Sequence, residues 1–523
     1  MTEKYFLITA GGTGMRCLQA FVNMCAIGMC KEKEIHCLVL DTDAENKDKK
    51  NSENLIRKYA EIREEIKLKE GFFSAEIKSY DFVPNYTKED SRTFTRISQL
   101  ERGNSKINRQ VADVLYDEND QEFDLAHGYR ARTHLGSYLM YHAIIDEIRK
   151  ANTNSEYKAN SKLYAFLEAI NQGNNQGGSK VFVLGSTFGG TGASTLPIVP
   201  KAIKDGLSVI SRGMIKYDNV FFGAVILTDY FNFSPPSEEQ RISQKIIADS
   251  QFFPFNSAAA LQYYIHDKTI IQTYKHLFFL GWPFEKKSVT DYRKKILGEN
   301  EQETITGGAK QENPAHLLEI MAACSAIYFY NLKTDDLKNT TSLKYWFKAI
   351  GIKGNTKSPM IVYKDIVPED MGLDKEMSRN LKTFYSFCMM IKTEFDGKIE
   401  NFIQNLQINN FNVSVKQCEA LNYFINYFTY EVKKVNNKET LVPMWLPQVF
   451  YTLDKESDFL EIPKESLDVM SNGQSHWGFV NKLKRENNPY DKFLATLKKV
   501  SQNKCNDASD LFSKIYDAYS ELI

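Results

Sequence analysis

Two short runs of small residues carry the chemistry this sequence offers. Gly189-Gly190-Thr191-Gly192-Ala193-Ser194 follows the apolar run 181–184 (VFVL), and Gly11-Gly12-Thr13-Gly14 follows the apolar run 4–10 (KYFLITA). A glycine loop lets backbone N–H groups reach a ligand with no Cβ in the way, and a helix that begins there adds the positive end of its dipole. The ligand that suits both properties is an anion, with a nucleotide phosphate as the first candidate. A plain strand-to-helix turn uses the same residue types, so one such loop decides little; this chain has two.

Each loop needs a strand before it and a helix after it. Leu18, Phe21, Val22 and Met24 pattern a helix ending near Gly28, and 196–210 suits a helix after the second loop. A third strand, 36–40 (HCLVL), ends in Asp41, Thr42 and Asp43, and polar residues at the carboxyl end of a parallel strand are where open α/β sheets place ligand contacts. Further strands are expected at 220–227 and 276–281, with a helix at 256–264 between them. The alternation predicts an α/β fold with a doubly wound parallel sheet.

In this order the motifs resemble the tubulin/FtsZ family of GTPases. Gly11-Gly12-Thr13-Gly14 looks like that family's first glycine loop, and residues 40–47 (LDTDAENK) are similar to the FtsZ strand-end motif NTDAQAL. The stretch 128–136, with Gly128, Arg130, Ala131, Arg132 and Gly136, keeps the spacing of the FtsZ γ-phosphate loop GAGANPEVG. Residues 189–194 resemble the signature GGTGTG, and 224–233 (AVILTDYFNF, with Thr228) resembles the strand and sugar loop VVTRPFTF. The resemblance covers roughly residues 4–332 and is nearest to divergent bacterial tubulin-like proteins that begin with GGTG and a cysteine. It implies GTP or GDP as ligand, with Mg2+ alongside. It also implies contacts from the two glycine loops, Asp41, Asp43, the 128–132 loop and Thr228, and head-to-tail self-association into cytoplasmic filaments.

The chain departs from that family in three places. FtsZ has no arginine at the positions of Arg130 and Arg132; a guanidinium there either faces a γ-phosphate or pairs with surface carboxylates. The family's ribose-binding glutamate falls on Ser234, so Glu238 or Glu239, after Pro235-Pro236, would have to replace it. The hydrolytic loop has two possible registers. One reads 307–319 as that loop, with Glu319 as the carboxylate; the other reads 314–332 as the family's central helix, with Pro314 in its first turn. The second register sets Asn313 and His316 near the base and leaves Asp335 and Asp336 at the helix end to orient the attacking water of a neighbouring subunit's nucleotide. Neither register reproduces the family pattern NxDxxD.

Composition narrows the functional classes. The chain has 523 residues, with 66 Lys+Arg against 66 Asp+Glu, so no global charge draws it to nucleic acid or to an anionic membrane. Its eight cysteines form no CxxC pair, which fits reduced thiols in a cytoplasmic protein. Cys17, in the first turn after the glycine loop, reads either as an activated thiol or as core packing. No leader and no membrane span is expected. The sequence divides into a nucleotide-binding domain, 1–332, and a divergent second domain with a helical region, 333–523. The latter includes helical patterns at 381–395, 402–406 and 418–432, a strand at 359–363 and an apolar patch at 441–451 that reads as core or as cover for a partner. Residues 45–121 read as a solvated helix plus a surface excursion. Two functions stand: a slow GTPase that forms filaments, and a non-hydrolysing nucleotide-dependent scaffold that recruits an unidentified protein partner. A dinucleotide-binding oxidoreductase is a third and weaker reading, because its fingerprint needs only one glycine loop.

Overall fold

In a computed structural model, the described residues are 3–43, 45–84, 110, 113–117, 120, 129, 132–231, 235, 237–243, 249–282, 313–349, 363–406, 413–435, 437–451, 458–459, 462–463, 493, 495, 497, 505 and 507–522. The elements that matter begin with β1 (Lys4–Ala10), α1 (Gly11–Ala26), β2 (Glu34–Leu40), α2 (Lys47–Ile66) and β3 (Glu76–Phe82). Then come α3 (Thr133–Thr153), α4 (Lys162–Gln176), β4 (Ser179–Ser186), α5 (Gly190–Ser211), β5 (Val220–Leu227), α6 (Phe253–His266) and β6 (Tyr274–Gly281). The rest are α7 (Leu317–Asn331), α8 (Thr334–Asn339), β7 (Lys344–Ala349), α9 (Asp374–Glu394), α10 (Val415–Phe428), β8 (Tyr430–Val435), β9 (Lys438–Pro443), α11 (Trp445–Tyr451) and α12 (Ala508–Leu522).

Strands β1 to β7 form one sheet in the order β3-β2-β1-β4-β5-β6-β7, with every adjacent pair parallel. The central strands β4 and β5 are buried along their whole length, as parallel strands covered on both faces must be. Edge strand β3 (EIKSYDF) is instead mostly polar: four of its seven residues are exposed, and its two buried residues, Ile77 and Phe82, lie on opposite faces of the sheet. That polar composition is why 45–121 reads from sequence as a helix and a surface excursion: α2 is the helix, and β3 is an unforeseen member of the sheet.

Helices cover both faces. On one face α1, α2 and α7 share a core with α9, α10 and α12 of the last third of the chain. On the other, α3, α4 and α5 pack on Phe6, Ile8, Val181 and Val183. Helix α7 is apolar all round and almost wholly buried, as a helix enclosed by protein should be. It crosses the sheet from the carboxyl edge, where Glu319 meets Arg16, to the amino edge, where Tyr330 donates to the Phe6 carbonyl at 2.8 Å. Its 15 residues span about 22 Å at 1.5 Å per residue.

The expected elements at 220–227, 256–264 and 276–281 all form, the last two extended by up to three residues at each end. The helix expected at 418–432 stops at Phe428, and β-branched and charged residues then make the hairpin β8–β9. The strand expected at 359–363 lies outside the described residues except for Tyr363, which opens the short helix Tyr363–Ile366. The apolar patch at 441–451 is core, with Val442, Leu446, Val449 and Phe450 fully buried. Among the described residues no helix is long and apolar enough to cross a membrane.

Candidate functional site

The strand order reverses direction between β1 and β4, and both strands end in a glycine loop. In an open α/β sheet the crevice at such a switch point, outside the carboxyl ends of the strands, is where ligands bind. A Cβ built on Gly11 would sit 3.1 Å from Thr191 Cβ and 3.2 Å from the Gly192 nitrogen, so the two loops touch. Gly11 also has φ +66, a conformation that other residues adopt only with strain.

The ten loop residues divide by burial, with Gly11 and Thr191 buried where the two loops touch. Gly14 and Gly192 are packing glycines: a Cβ would meet the Leu184 carbonyl at 2.8 Å in one case and the Ser186 nitrogen at 3.0 Å in the other. Ala193 and Ser194 are buried in the first turn of α5, where Ser194 bonds the Thr191 carbonyl and Ala193 accepts from Tyr264. Gly12, Thr13, Gly189 and Gly190 are partly exposed, so their backbone is the part of the loops that is open to the outside.

Helix starts separate in the same way. Helices α2, α4, α7 and α10 are capped by the side chains of Asn46, Ser161, His316 and Ser414, while α9 and α12 have Asp374 and Asp510 in their first turns. Helices α1, α3 and α5 have neither a side-chain cap nor a first-turn acid. Helix α6 also lacks both, but Pro254 removes one of its donors. The three open starts converge: the α1 loop touches the α5 loop, and α3 lies against α5, where Ser137 Oγ donates to the Ser194 carbonyl at 3.0 Å. Three positive helix ends therefore lie close together at the carboxyl edge of the sheet, that of α3 with Asp120 beside it through Arg132 and His134.

The other expected contacts are mostly engaged within the protein. Asp41 accepts from the Asp43 amide at 3.2 Å and from the Asn46 side chain at 3.1 Å, and Asp43 accepts from the Glu45 amide at 3.0 Å. Burial pushes the Asp41 carboxyl up to about 7. Arg132 pairs with Asp120 at 2.9 Å, the surface-carboxylate alternative; Gly128, Arg130 and Ala131 lie outside the described residues. Thr228 bonds the Leu280 carbonyl through its backbone N–H and its hydroxyl. Glu238 is exposed on the short helix Glu238–Ser243, and Ser234 is outside the described residues. Cys17 is wholly buried and burial raises its thiol well above its ordinary value, so it packs rather than reacts.

A helix forms within 314–332, where the second register expects one, starting at Leu317 rather than Pro314. Pro314 lies ahead of the helix because His316 provides the cap: its ring nitrogen accepts from the Leu318 amide, and its own amide donates to Glu319. Glu319 is therefore a buried structural carboxylate. Arg16 meets it at 2.5 Å and Tyr230 donates to it at 2.9 Å. Burial raises the Glu319 carboxyl, opposed first by the Arg16 charge, while that carboxylate holds Arg16 firmly protonated. A glutamate inside an otherwise apolar run, and an arginine two residues past a glycine loop, were the sequence signals for this pair.

Asp335 and Asp336 are exposed in the first turn of α8, at the amino edge of the sheet. Asn313 is half-buried and lines a cavity of about 230 Å³ beside the Arg16–Glu319 pair. The far wall of that cavity includes Tyr423, Tyr427 and Trp445, which the sequence did not single out. Among the described residues, no group of three or more His, Cys, Asp or Glu side chains could hold a metal ion. No family model, curated protein or solved structure matches this chain.

Proposed function

We propose that this chain binds a guanine nucleotide, with its phosphates on the paired glycine loops, and hydrolyses it slowly within head-to-tail assemblies. The observation that carries the reading is the convergence of three helix starts, α1, α3 and α5, that have no side-chain cap and no first-turn acid. Backbone N–H groups from Gly12 and Thr13 on one loop and Gly189 and Gly190 on the other would hold the phosphate oxygens, and the helix dipoles would offset their charge. Magnesium would accompany the triphosphate, held mainly by phosphate and water, as this hard cation usually is. The guanine base rests on the resemblance to tubulin-like proteins and on Asn313 beside the start of α7. A second glycine loop and a third open helix start are more than the dinucleotide fingerprint requires, which weighs against an oxidoreductase.

Hydrolysis needs a group that orients water at the last phosphate. Asp335 and Asp336 stand beyond the far end of α7, about 22 Å of helix away from the loops, so they serve only the nucleotide of the next molecule in a head-to-tail stack. A specific observation keeps the scaffold alternative in play. Glu319, the carboxylate beside the loops at the start of α7, is locked to Arg16, so a chain that never assembles would hold its nucleotide unhydrolysed.

Equilibrium dialysis of the full chain with GTP, ATP and NADH tests the ligand. GTP is expected to bind at least tenfold tighter than the others; equal binding of ATP would leave a generic nucleotide switch, and preference for NADH would overturn the reading. Phosphate release per molecule, measured over a range of protein concentrations, separates the GTPase from the scaffold.

A further inference from the structure

The cavity beside Arg16 and Glu319 is walled by two parts of the chain far apart in sequence. One wall comes from α1 and Asn313; the other comes from Tyr423 and Tyr427 of α10, Lys433 of β8 and Trp445 of α11. At about 230 Å³ it is smaller than the roughly 300–1,000 Å³ of a site for a drug-sized ligand. It suits one planar ring system, not a whole nucleotide.

Its lining suits such a ring. The Tyr423 and Tyr427 rings lie 6.2 Å apart between centroids and 6° from parallel, giving the cavity a flat aromatic wall. Two residues of the lining, Arg16 and Trp445, are 5% and 3% exposed, and the Arg16 Nε–H and the Trp445 indole N–H have no hydrogen-bond partner among the described residues. A buried donor without an acceptor costs about 1–3 kcal/mol, so a small side-chain adjustment that turned either N–H to the cavity would favour a ligand with carbonyl or ring-nitrogen acceptors, as a purine has. Arg16 follows Gly12 by about one helical turn, so a ring in the cavity leaves its phosphates at the open start of α1.

We propose that the purine ring of the bound nucleotide enters this cavity and that α10, β8 and α11 form its second wall, so that the last third of the chain closes on the nucleotide and senses its presence. This rests on the nucleotide reading above and goes beyond it, since phosphate binding alone needs nothing past α7. The coupling is through contact: a ring between Tyr427 and Arg16 joins the helices that carry them, and ordering one wall orders the other.

Hydrogen–deuterium exchange on the full chain, alone, with pyrophosphate and with GTP, tests the idea. Both ligands are expected to slow exchange at the starts of α1 and α5, and GTP alone to slow it in α10 and the β8–β9 hairpin by at least tenfold. GTP that binds and protects only the loops would overturn this inference and leave the nucleotide reading standing. Failure of GTP to bind at all would overturn both. In a second arm, Trp445→Phe keeps the ring but removes the N–H donor. GTP affinity should fall about twofold to tenfold, the worth of one hydrogen bond, with pyrophosphate affinity unchanged. Equal GTP affinity for both proteins would overturn the role of Trp445.

Discussion

The two edges of the sheet treat their polar groups in opposite ways. At the amino edge Lys180, 1% exposed along its side chain, donates to Glu3 at 2.7 Å and to the carbonyls of Tyr330 and Leu332, while Thr334 donates to Glu3. These charges and carbonyls satisfy each other, while the carboxylates of Asp335 and Asp336 are exposed. At the carboxyl edge, three helices begin without caps around loops of partly exposed glycine. A folding chain gains about 1 kcal/mol from each good cap, so omitting three at one place gives up stability where a ligand can recover it. On the function proposed above, the contrast would assign binding to one edge and presentation of acid to the other, with α7 fixing the distance between them.

The strongest way to break this comparison is at the amino edge. The double change Asp335→Asn and Asp336→Asn should lower phosphate release by about 10²- to 10⁴-fold while GTP affinity stays unchanged. Mixing the variant with wild type would restore part of the rate, because each molecule serves its neighbour. Unaltered release in the double variant would remove these residues from the mechanism.

Glu319→Gln tests the other register through stability rather than rate. It leaves Arg16 buried without its counter-charge, at a cost of about 3–5 kcal/mol, read as a lowered urea midpoint. A Glu319→Gln chain as stable as wild type but without turnover would return Glu319 to catalysis. Gly190→Val should reduce nucleotide affinity by about 100-fold with the fold kept, because Gly190 is partly exposed where a ligand would lie. Gly192→Val should instead destabilise the fold by about 1–3 kcal/mol, since its Cβ meets the Ser186 backbone at 3.0 Å. If both variants lost stability equally and neither lost affinity directly, the division of the loop into packing and binding glycines would fail.

The most gradual effect is pH-dependent. The folded chain holds a proton on Asp41 up to about pH 7, whereas an unfolded aspartate releases it near 3.9. Between those values the native state binds more protons, so this group makes stability fall as pH rises, by at most about 1.4 kcal/mol per unit. Asp41→Asn should flatten that slope in denaturant titrations from pH 4 to pH 8. Parallel curves for the two proteins would show that Asp41 is ionised in the native state.

Much of the carboxyl edge was legible before any coordinates. The loops at 11–14 and 189–194 and the strands 220–227 and 276–281 announce themselves through local chemistry: small residues after a β-branched run, and apolar stretches of strand length. Three things were not legible. Strand β3 is an edge, and its mostly polar sequence looks like surface. The β8–β9 hairpin follows directly on an amphipathic helix, so the pattern showed no break at Phe428. The cavity wall from Tyr423 to Trp445 depends on contacts across several hundred residues, which no local pattern encodes. The motif match also did not reveal which of its residues are buried: Gly14, Gly192, Ala193 and Ser194 are packed against the surrounding backbone and side chains, while Gly12, Thr13, Gly189 and Gly190 are partly exposed.

The Arg16–Glu319 pair carries a consequence for how such a chain can diverge. Removing either partner alone strands a charge in the interior, while replacing both with well-packed apolar residues can be neutral or even favourable. The two positions are therefore joined by inheritance: a lineage that loses one passes through a poorly folded intermediate unless the other changes with it. Between related chains, arginine and glutamate at these sites should be found together or absent together. Variation at Asp335 and Asp336, which have solvent to accept them, should carry no such bond.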